Sequence, residues 1–338
     1  MVLIMKELVL GIDGGATKSH LALFRMDGTC IDAIAGGPLN HEVMEGSYAE
    51  LDVRLNAFIS DGLGKAGVRL DDIAYAVFGI AGVDTNAQHS LIYNMLCKAG
   101  FQRFSLYNDA FLGVAAGCPN GIGICAINGT GFKFAAVDHS GVDIQTCGLG
   151  DLTADYGGGG WYGTQAIASV SNEMFKRDRK TIMRDMLFAQ VGISRKEDFM
   201  EVLSEKLALG MLGSVAINSI AFEAAAAGDA VAMGILELSA LHYAGGIIYL
   251  ATEMDFPEDR TLYITLAGSV FIKQKVKILP QLIERKVCEA LGERSVEFLH
   301  LDAPPVAGAV LWAAQKAGFG VDMVAIRKGL AYSGLFTP

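Results

Sequence analysis

Three segments of the sequence have the composition of phosphate-binding turns. They are Asp13-Gly14-Gly15-Ala16-Thr17-Lys18, Gly129-Thr130-Gly131 and Ala267-Gly268-Ser269, and each follows a run of apolar residues. Glycine at the end of a strand allows backbone amides to face an anion at short range. A single turn of this kind is weak evidence, because ordinary tight hairpins also contain glycine. Three together favour a bound nucleotide, with Asp13 near the Mg²⁺ ion that bridges its phosphates.

The first of these segments is not a Walker loop, although its Thr17-Lys18-Ser19 run is similar to one. A Walker loop has glycine directly before the lysine and continues into a helix, whereas threonine precedes the lysine here. The residues 20–24 favour a strand, and Asp27-Gly28 is a hairpin signal. The sequence therefore predicts strand, turn and strand, with Gly14 and Gly15 in backbone conformations that other residues avoid.

A fourth candidate for chemistry is Asp109, which lies between a predicted strand and a predicted helix. A carboxylate at that position can point into a crevice at the carboxyl edge of a sheet. Phosphoryl transfer depends mainly on positioning and charge neutralisation, so one base and one metal ion can be enough. The competing interpretation is structural, since Asp109 could cap the helix that follows it.

The order of predicted elements indicates an α/β fold with two related domains. A three-strand meander is followed by alternating helices and strands up to residue 118, and the hairpin pattern of the opening residues recurs at 121–141. We predict a first domain over 1–118 and a second over 119–338. The second contains a helical insertion at about 164–254, one helix over about 270–291 and a last helix opened by Pro305, able to pack back on the first domain.

Charge and cysteine content exclude several function classes. The 338 residues carry a formal net charge of −10, so a basic surface for nucleic acid or anionic lipid is not expected. The six cysteines form no C-x-x-C pair and are predicted to be buried free thiols in a reducing compartment. We expect a cytoplasmic protein that does not bind nucleic acid.

A membrane segment is not expected either. The longest apolar run, 230–254, contains Glu237 and His242, whose polarity favours a buried core helix over a lipid-embedded one. The apolar N-terminus is interrupted by Lys6-Glu7 and lacks the basic start and cleavage site of a signal peptide.

A series of short motifs runs in a fixed order along almost the whole chain, from about residue 8 to residue 314. They are the segments 13–18, 78–82, 108–110, 129–131, 148–150, 155–163, 267–269 and 305–309. The set resembles the N-acetylglucosamine kinase family, in the same group as the benzoyl-CoA reductase activating ATPases within the actin, heat-shock chaperone and sugar kinase superfamily. The resemblance implies two ribonuclease H-like domains of the actin-like ATPase kind, with a nucleotide cleft between them.

The resemblance also implies roles for individual residues. Asp109 matches the aspartate that accepts the proton of the sugar hydroxyl as it attacks the γ-phosphate. Sugar binding is implied for Asn40, His41, Asp109, Thr130, Gly148, Leu149 and Asp155. ATP binding is implied for Gly14, Gly15, Ala16, Thr17, Lys18, Gly129, Thr130, Gly131, Gly268 and Ser269, with Mg²⁺ near Asp13. From the residues alone, the Asn40-His41 pair is typical of a loop and Asp155 of a turn, and these alternatives stay open.

The sequence departs from the family pattern around the sugar. Phe132 stands where a serine commonly follows the Gly-Thr-Gly turn, Leu149 where a tryptophan is common, and Tyr156 where a glutamate is common. Lys133 is either an exposed strand residue or a charge for the phosphates or an acidic substrate. The glycine run 157–160 is either a connector or a segment that rearranges when domains close. These departures bear on the substrate more than on the reaction.

The leading hypothesis is an ATP-dependent kinase that phosphorylates the primary hydroxyl of an N-acetylated amino sugar, with N-acetylglucosamine first. A kinase of glucosamine or N-acetylmuramic acid is an alternative. An ATPase that activates a partner enzyme is another, but that branch of the family holds an iron–sulfur cluster and needs clustered cysteines. A nucleotide-dependent sensor is the third. We expect ATP, Mg²⁺ and an amino sugar as ligands and a homodimer as the assembly, although the sequence itself does not fix the oligomeric state.

Overall fold

The computed structural model describes residues 7–212, 215–301 and 303–334. The chain divides into two compact units. The first contains Met1–Cys125, Ala135–Gln145 and Leu301–Pro338, and the second contains Ala126–Phe134 and Thr146–His300. The predicted domain limits, 1–118 and 119–338, remain a prediction, because a division into compact units does not show which segments fold independently.

Ten strands form two five-stranded sheets in the part of the chain that the structure describes. The strands are β1 (Leu8–Gly14), β2 (Ser19–Arg25), β3 (Cys30–Gly36), β4 (Ile73–Ile80), β5 (Phe104–Tyr107), β6 (Gly123–Asn128), β7 (Phe132–Val137), β8 (Asp143–Thr146), β9 (Leu262–Ala267) and β10 (Val296–His300). The first sheet has the order β3-β2-β1-β4-β5 and the second β10-β9-β6-β7-β8. β1 pairs antiparallel with β2 and parallel with β4, so the first sheet is mixed. The predicted α/β fold is confirmed.

Twelve α-helices accompany these strands within the described ranges. They are α1 (Ser47–Ala66), α2 (Asn86–Lys98), α3 (Ala110–Gly117), α4 (Gly159–Lys176), α5 (Met183–Val191), α6 (Phe199–Ala208), α7 (Val215–Ala226), α8 (Ala230–Glu253), α9 (Ser269–Lys273), α10 (Ile278–Leu291), α11 (Val306–Ala317) and α12 (Met323–Tyr332). Neither the short, partly exposed β8 nor α12 is predicted from apolar periodicity.

One predicted helix, over about 270–291, is two helices in the structure, α9 and α10. Between them Gln274 is extended, with φ −65° and ψ 125°. Lys277 Nζ donates to the carbonyl oxygen of Phe271 at 2.8 Å. The last carbonyl groups of a helix have no amide partner within the helix, and this bond from the lysine supplies a donor for one of them. Apolar spacing alone does not reveal such a break.

The first sheet is covered on both faces. Leu10, Ile12 and Phe78 pack in a hydrophobic core together with residues of α1 and α2. On the other face, α11 packs against β1, β4 and α3. Gly11 permits this approach, because a Cβ there would lie 2.8 Å from the backbone nitrogen of Val310. Since side chains alternate along a strand, the odd-numbered residues of β1 face α11.

Among the described helices, α8 is the one long and apolar enough in composition to cross a membrane, a test that the core helix of a soluble protein also passes. It packs against α4, α7 and α10. Ten of its residues are buried, including Leu236, Tyr243 and Ile247. These contacts are those of the core helix that the sequence predicts.

The prediction of buried thiols is wrong for four of the six cysteines, since Cys30 is only partly buried and three others are exposed. All six are free, but Cys97, Cys147 and Cys288 are exposed, and Cys118 and Cys125 are the buried ones. Burial raises the pKa of the Cys125 thiol well above its usual value. The exposed cysteines lie near the ends of elements, where an apolar neighbourhood in sequence does not guarantee burial.

Candidate active site

Asp13 and Asp109 lie at the same edge of the first sheet. In the parallel register, Asp13 of β1 is opposite Gly79 of β4, which is opposite Tyr107 of β5. A Cβ on Gly79 would lie 2.5 Å from Leu112 of α3, so this row of residues faces α3. Asp109 follows Tyr107 by two residues, just before α3. Two strand spacings correspond to about 10 Å, at the carboxyl ends where α/β sheets bind ligands.

Asn108, and not Asp109, caps α3. The backbone nitrogen of Ala110 donates to Asn108 Oδ1 at 3.0 Å. Asn108 Nδ2 donates to Asp84 Oδ1 at 3.0 Å, and Asn108 is only 2% exposed. Within the described residues, Asp109 has helical φ and ψ and its side chain makes no capping hydrogen bond to α3. The competing structural interpretation of Asp109 therefore lacks its hydrogen bond, and sequence reasoning missed the role of Asn108.

Asp13 is paired with His20, its direct neighbour across β1 and β2. His20 Nδ1 lies 3.4 Å from Asp13 Oδ2, and the aspartate side chain is 13% exposed. No group of three or more His, Cys, Asp or Glu side chains that could hold a metal occurs in the described part of the chain. A Mg²⁺ ion shared with phosphates needs only one or two carboxylates, however, and Asp13 fits a site of that kind.

The turn after β1 contains glycines because space is short there. The prediction of unusual backbone conformations at Gly14 and Gly15 is wrong, since neither has a positive φ. A Cβ on Gly14 would lie 2.7 Å from Ile80 Cδ1, and one on Gly15 would lie 2.9 Å from the carbonyl oxygen of Lys18. Gly15 N donates to that oxygen at 3.1 Å. The Gly15 amide is thus used within the turn, and Thr17 and Lys18 are exposed at its tip.

Asn40 and His41 are buried at the same edge of the first sheet, with 5% and 6% exposure. Asn40 Oδ1 accepts a hydrogen bond from Glu42 N at 2.9 Å, and the His41 ring stacks on Tyr48 with centroids 4.0 Å apart. Both pack against Gly82, just beyond β4, where φ is +79° and a Cβ would lie 2.6 Å from Asn40 Oδ1. The first unit therefore collects Asp13, Asp109 and this pair at one end of its sheet.

In the second unit, two of the predicted phosphate turns meet at the end of β6. Gly268 has a φ of +96°, and a Cβ there would lie 2.5 Å from the Asn128 carbonyl oxygen and 2.8 Å from Gly129 N. Gly129 N donates to the carbonyl oxygen of Gly131 at 3.0 Å. Gly129–Gly131 and Gly268–Ser269 thus form one backbone-lined surface, which we call the glycine cradle. Backbone amides at such a surface can bind phosphate oxygens.

The glycine run 157–160 is attached to the glycine cradle. Gly158 N donates to Asn128 Oδ1 at 2.9 Å, and Gly159 N donates to the carbonyl oxygen of Gly129 at 2.6 Å. A Cβ on Gly158, where φ is +83°, would lie 2.9 Å from the Thr130 carbonyl oxygen. These bonds attach the run to the glycine cradle, and its interpretation as a connector or as a segment that rearranges stays a prediction.

A buried polar network supports the cradle from behind. Asn128 Nδ2 donates to the Tyr162 hydroxyl at 2.8 Å, and that hydroxyl lies 2.8 Å from the Ser239 hydroxyl. All three residues are completely buried. Burial raises the pKa of Tyr162, which keeps its hydroxyl protonated and able to donate. We call Asn128, Tyr162 and Ser239 the cradle network.

A cavity of about 230 Å³ lies beside the glycine cradle in the second unit. Its lining includes Ser269 and Val270 at the start of α9, Phe222 of α7 and Tyr162 of the cradle network. A partly apolar cavity with a few polar groups in its lining is the kind of place where proteins bind small molecules. The contribution of α7 was not predicted, because its residues are far from the glycine motifs in sequence.

The loop Gly148–Gly150 is held by Asp155. Asp155 Oδ2 accepts from Gly148 N at 2.9 Å and from Gly150 N at 2.7 Å, while Oδ1 accepts from Thr153 Oγ1 at 2.8 Å. Asp155 is 5% exposed. The turn interpretation of Asp155 is consistent with these bonds, and its contact with sugar hydroxyls remains a prediction. We call Gly148–Gly150 the acceptor loop.

Two of the residues that depart from the family pattern border these features. Leu149 is 65% exposed on the acceptor loop. The Tyr156 ring lies 5.7 Å from Trp161 and 4.2 Å from His242, centroid to centroid. An exposed apolar side chain and an aromatic cluster thus replace the tryptophan and glutamate of the pattern.

The family model that matches the chain is described as the BadF/BadG/BcrA/BcrD ATPase family and covers residues 10–313. The N-acetyl-D-glucosamine kinase of Dictyostelium discoideum is 24% identical over 324 residues, which is 91% of this chain and 98% of that enzyme. An N-acetylmuramic acid/N-acetylglucosamine kinase of Clostridium acetobutylicum is 28% identical over 198 residues, 58% of this chain. The chain spans 64% of the length of that enzyme.

The fold is also found among solved structures. A Chromobacterium violaceum protein, provisionally assigned as an N-acetylglucosamine kinase, superposes with a TM-score of 0.64 at 20% identity. The match covers 90% of this chain and 98% of that one. At this identity the likeness shows the fold, and the predicted actin-like ATPase fold class is confirmed.

Proposed function

The chain belongs to the BadF/BadG/BcrA/BcrD ATPase family, and from this premise we propose that it is an ATP-dependent kinase of N-acetylated amino sugars. N-acetylglucosamine is the first substrate to test, with the primary hydroxyl as the acceptor. The observation that carries the proposal is the position of Asp109 at the carboxyl edge of the first sheet, the edge that also holds Asp13, and next to a helix that Asn108 caps. The nearly full-length relative named as an N-acetyl-D-glucosamine kinase supports the substrate class.

Asp109 is the proposed general base. Its carboxylate accepts the proton of the sugar hydroxyl as the hydroxyl oxygen attacks the γ-phosphorus of ATP, and ADP leaves. The Asn108 bonds to Ala110 and Asp84 fix the backbone that carries Asp109, so little reorganisation is needed for the proton transfer. Bound Mg²⁺ would neutralise charge on the phosphates, and Asp13 is the residue that would hold it.

The second unit is proposed to bind the nucleotide. The glycine cradle is proposed to lie against the phosphates, and the adjoining cavity lined by Phe222 and Tyr162 is proposed to take the adenosine end. In the first unit, Gly14, Gly15, Ala16, Thr17 and Lys18 are proposed to bind the phosphates as well. Thr17 and Lys18 are exposed at the tip of their turn, where they can meet an anion.

The sugar is proposed to contact Asn40, His41, Thr130 and Asp155, together with the acceptor loop. Amide, imidazole and carboxylate groups supply the donors and acceptors that sugar hydroxyls require. We further propose that the protein is cytoplasmic, because ATP and amino sugars are soluble metabolites, and that it is a homodimer. Light scattering at micromolar concentration measures the oligomeric state directly.

A coupled assay of ADP release tests the function. Wild-type protein is mixed with ATP, Mg²⁺ and one of five sugars, namely N-acetylglucosamine, glucosamine, N-acetylmannosamine, N-acetylmuramic acid and glucose. We expect stimulation by at least one N-acetylated sugar and formation of its phosphate by mass spectrometry. If no sugar stimulates ADP release while an ATP analogue still binds, the nucleotide-dependent sensor replaces the kinase as the proposal.

A further inference from the structure

Lys133 is held on the open side of β7. Its neighbours Phe132 and Phe134 are buried and pack on Tyr243 of α8, with ring centroids 4.2 Å and 5.8 Å away. Because side chains alternate along a strand, Lys133 points away from α8. It is partly exposed. The strand itself therefore directs the only charged side chain of β7 away from the core.

The lysine side chain lies directly on the acceptor loop. A Cβ on Gly148 would lie 2.7 Å from Lys133 Cε and 3.3 Å from Lys133 Nζ. Gly148 also has a φ of +109°, which other residues rarely adopt. The backbone conformation therefore favours glycine at 148, and the end of the lysine side chain, with its ammonium group, lies against the loop.

The electrostatic neighbourhood agrees with this placement. Burial raises the pKa of the Cys147 thiol, Asp155 raises it further, and the charge of Lys133 acts in the opposite direction. The Asp155 carboxylate accepts three hydrogen bonds from the loop and Thr153. The backbone amides of the acceptor loop are therefore held in place by Asp155, and the Lys133 ammonium group lies close enough to contact a ligand bound at the loop.

We propose that Lys133 recognises an anionic substituent of the acceptor, so that the protein binds an N-acetylated amino sugar bearing a carboxylate more tightly than the neutral sugar. The proposal rests on the proposed function in one respect, namely that the acceptor loop contacts the sugar. A lysine ammonium group suits a single carboxylate on a sugar substituent. Its three N–H donors can rotate, and its four-carbon side chain can adjust to the position of the carboxylate. The attraction is expected to weaken as ionic strength rises.

The test compares N-acetylmuramic acid, its methyl ester and N-acetylglucosamine in titration calorimetry with wild-type, Lys133→Met and Lys133→Arg proteins. We expect the acid to bind the wild type at least about tenfold more tightly than the ester, as a hydrogen bond to a charged group allows. Lys133→Met should remove that difference, and Lys133→Arg should keep most of it. Lys176→Met, at the exposed end of α4, is the matched control and should change nothing.

Other outcomes overturn the proposal. Equal affinity of the wild type for the acid and for the ester contradicts it. So does a Lys133→Met protein that loses the same amount of affinity for all three ligands. Steady-state kinetics of Lys133→Met give a further check. If this variant has a higher Km for ATP with every sugar, the lysine contacts the phosphates and not the sugar. Because calorimetry does not require turnover, a protein that phosphorylates no sugar would end the proposed function while the binding data still decide the role of Lys133.

Discussion

Asp109 and Asn108 are adjacent, but the structure gives them different roles. We predict that Asp109→Asn lowers kcat by a factor of about 10² to 10⁴, the usual effect of removing a general base. Binding of an ATP analogue and the melting temperature should stay close to wild type, because asparagine keeps the shape of the side chain and the cap of α3 is Asn108. Steady-state ADP release, calorimetry and thermal melting measure the three quantities.

Asn108→Ala is the matched control for that experiment. It removes the cap of α3 and the bond to Asp84, so we expect a loss of about 1 kcal/mol or more in unfolding free energy. If Asp109→Asn instead lowers the melting temperature and leaves kcat unchanged, Asp109 has a structural role and is not the general base.

Asp13 is predicted to set the metal dependence. Asp13→Asn keeps the shape of the side chain and a partner for His20, which lies 3.4 Å away. It removes the negative charge, so the Mg²⁺ concentration for half-maximal activity should rise by about tenfold or more. A Mg²⁺ titration at fixed ATP measures this, and an unchanged midpoint would count against Asp13 as a metal ligand.

At the scale of the elements, the cradle network joins β6, α4 and α8 through three buried side chains. Tyr162→Phe removes the hydroxyl between Asn128 and Ser239 and leaves both without that partner. A buried polar group that loses its partner costs about 1 to 3 kcal/mol, so the melting temperature should fall. The Km for ATP should also rise, because Asn128 holds Gly158 at the cradle. Loss of stability without any change in Km would leave the network a purely structural one.

Much of the first sheet follows from local sequence, whereas the cradle network does not. The meander, the turn after β1 and the placement of Asp109 depend on apolar runs, turn residues and strand ends that lie close together in the chain. The bond from Asn128 to Tyr162 joins residues 34 positions apart, and the one from Tyr162 to Ser239 joins residues 77 positions apart. Partners at such separations are set by packing, which a single sequence does not display.

The glycines show the same limit in another form. The sequence indicates a special role for Gly14 through its backbone conformation, but Gly14 does not have a positive φ. The actual constraint is Ile80 of β4, which a Cβ would approach to 2.7 Å. Sequence composition identifies where the chain needs glycine, and only the neighbouring strand shows why.

At the scale of the whole molecule, nucleotide binding should appear as a gain in thermal stability. A ligand at 100 times its Kd stabilises the folded state by about 2.7 kcal/mol. This corresponds to a rise in melting temperature of about 4 °C for a chain of 338 residues, because the entropy of unfolding grows with chain length. A non-hydrolysable ATP analogue with Mg²⁺ is therefore predicted to raise the melting temperature of the wild type and of Asp109→Asn equally, as followed by scanning fluorimetry.

Gly268→Ala should lose most of that shift, because its Cβ would lie 2.5 Å from the Asn128 carbonyl oxygen at a φ of +96° and displace the cradle. The matched control is Gly192→Ala, which has a similar φ of +82° but open space around the added Cβ. Both variants carry the backbone strain of a positive φ, so both should melt earlier than wild type. Only Gly268→Ala should lose the response to the nucleotide analogue, and an equal response in the two variants would separate the cradle from nucleotide binding.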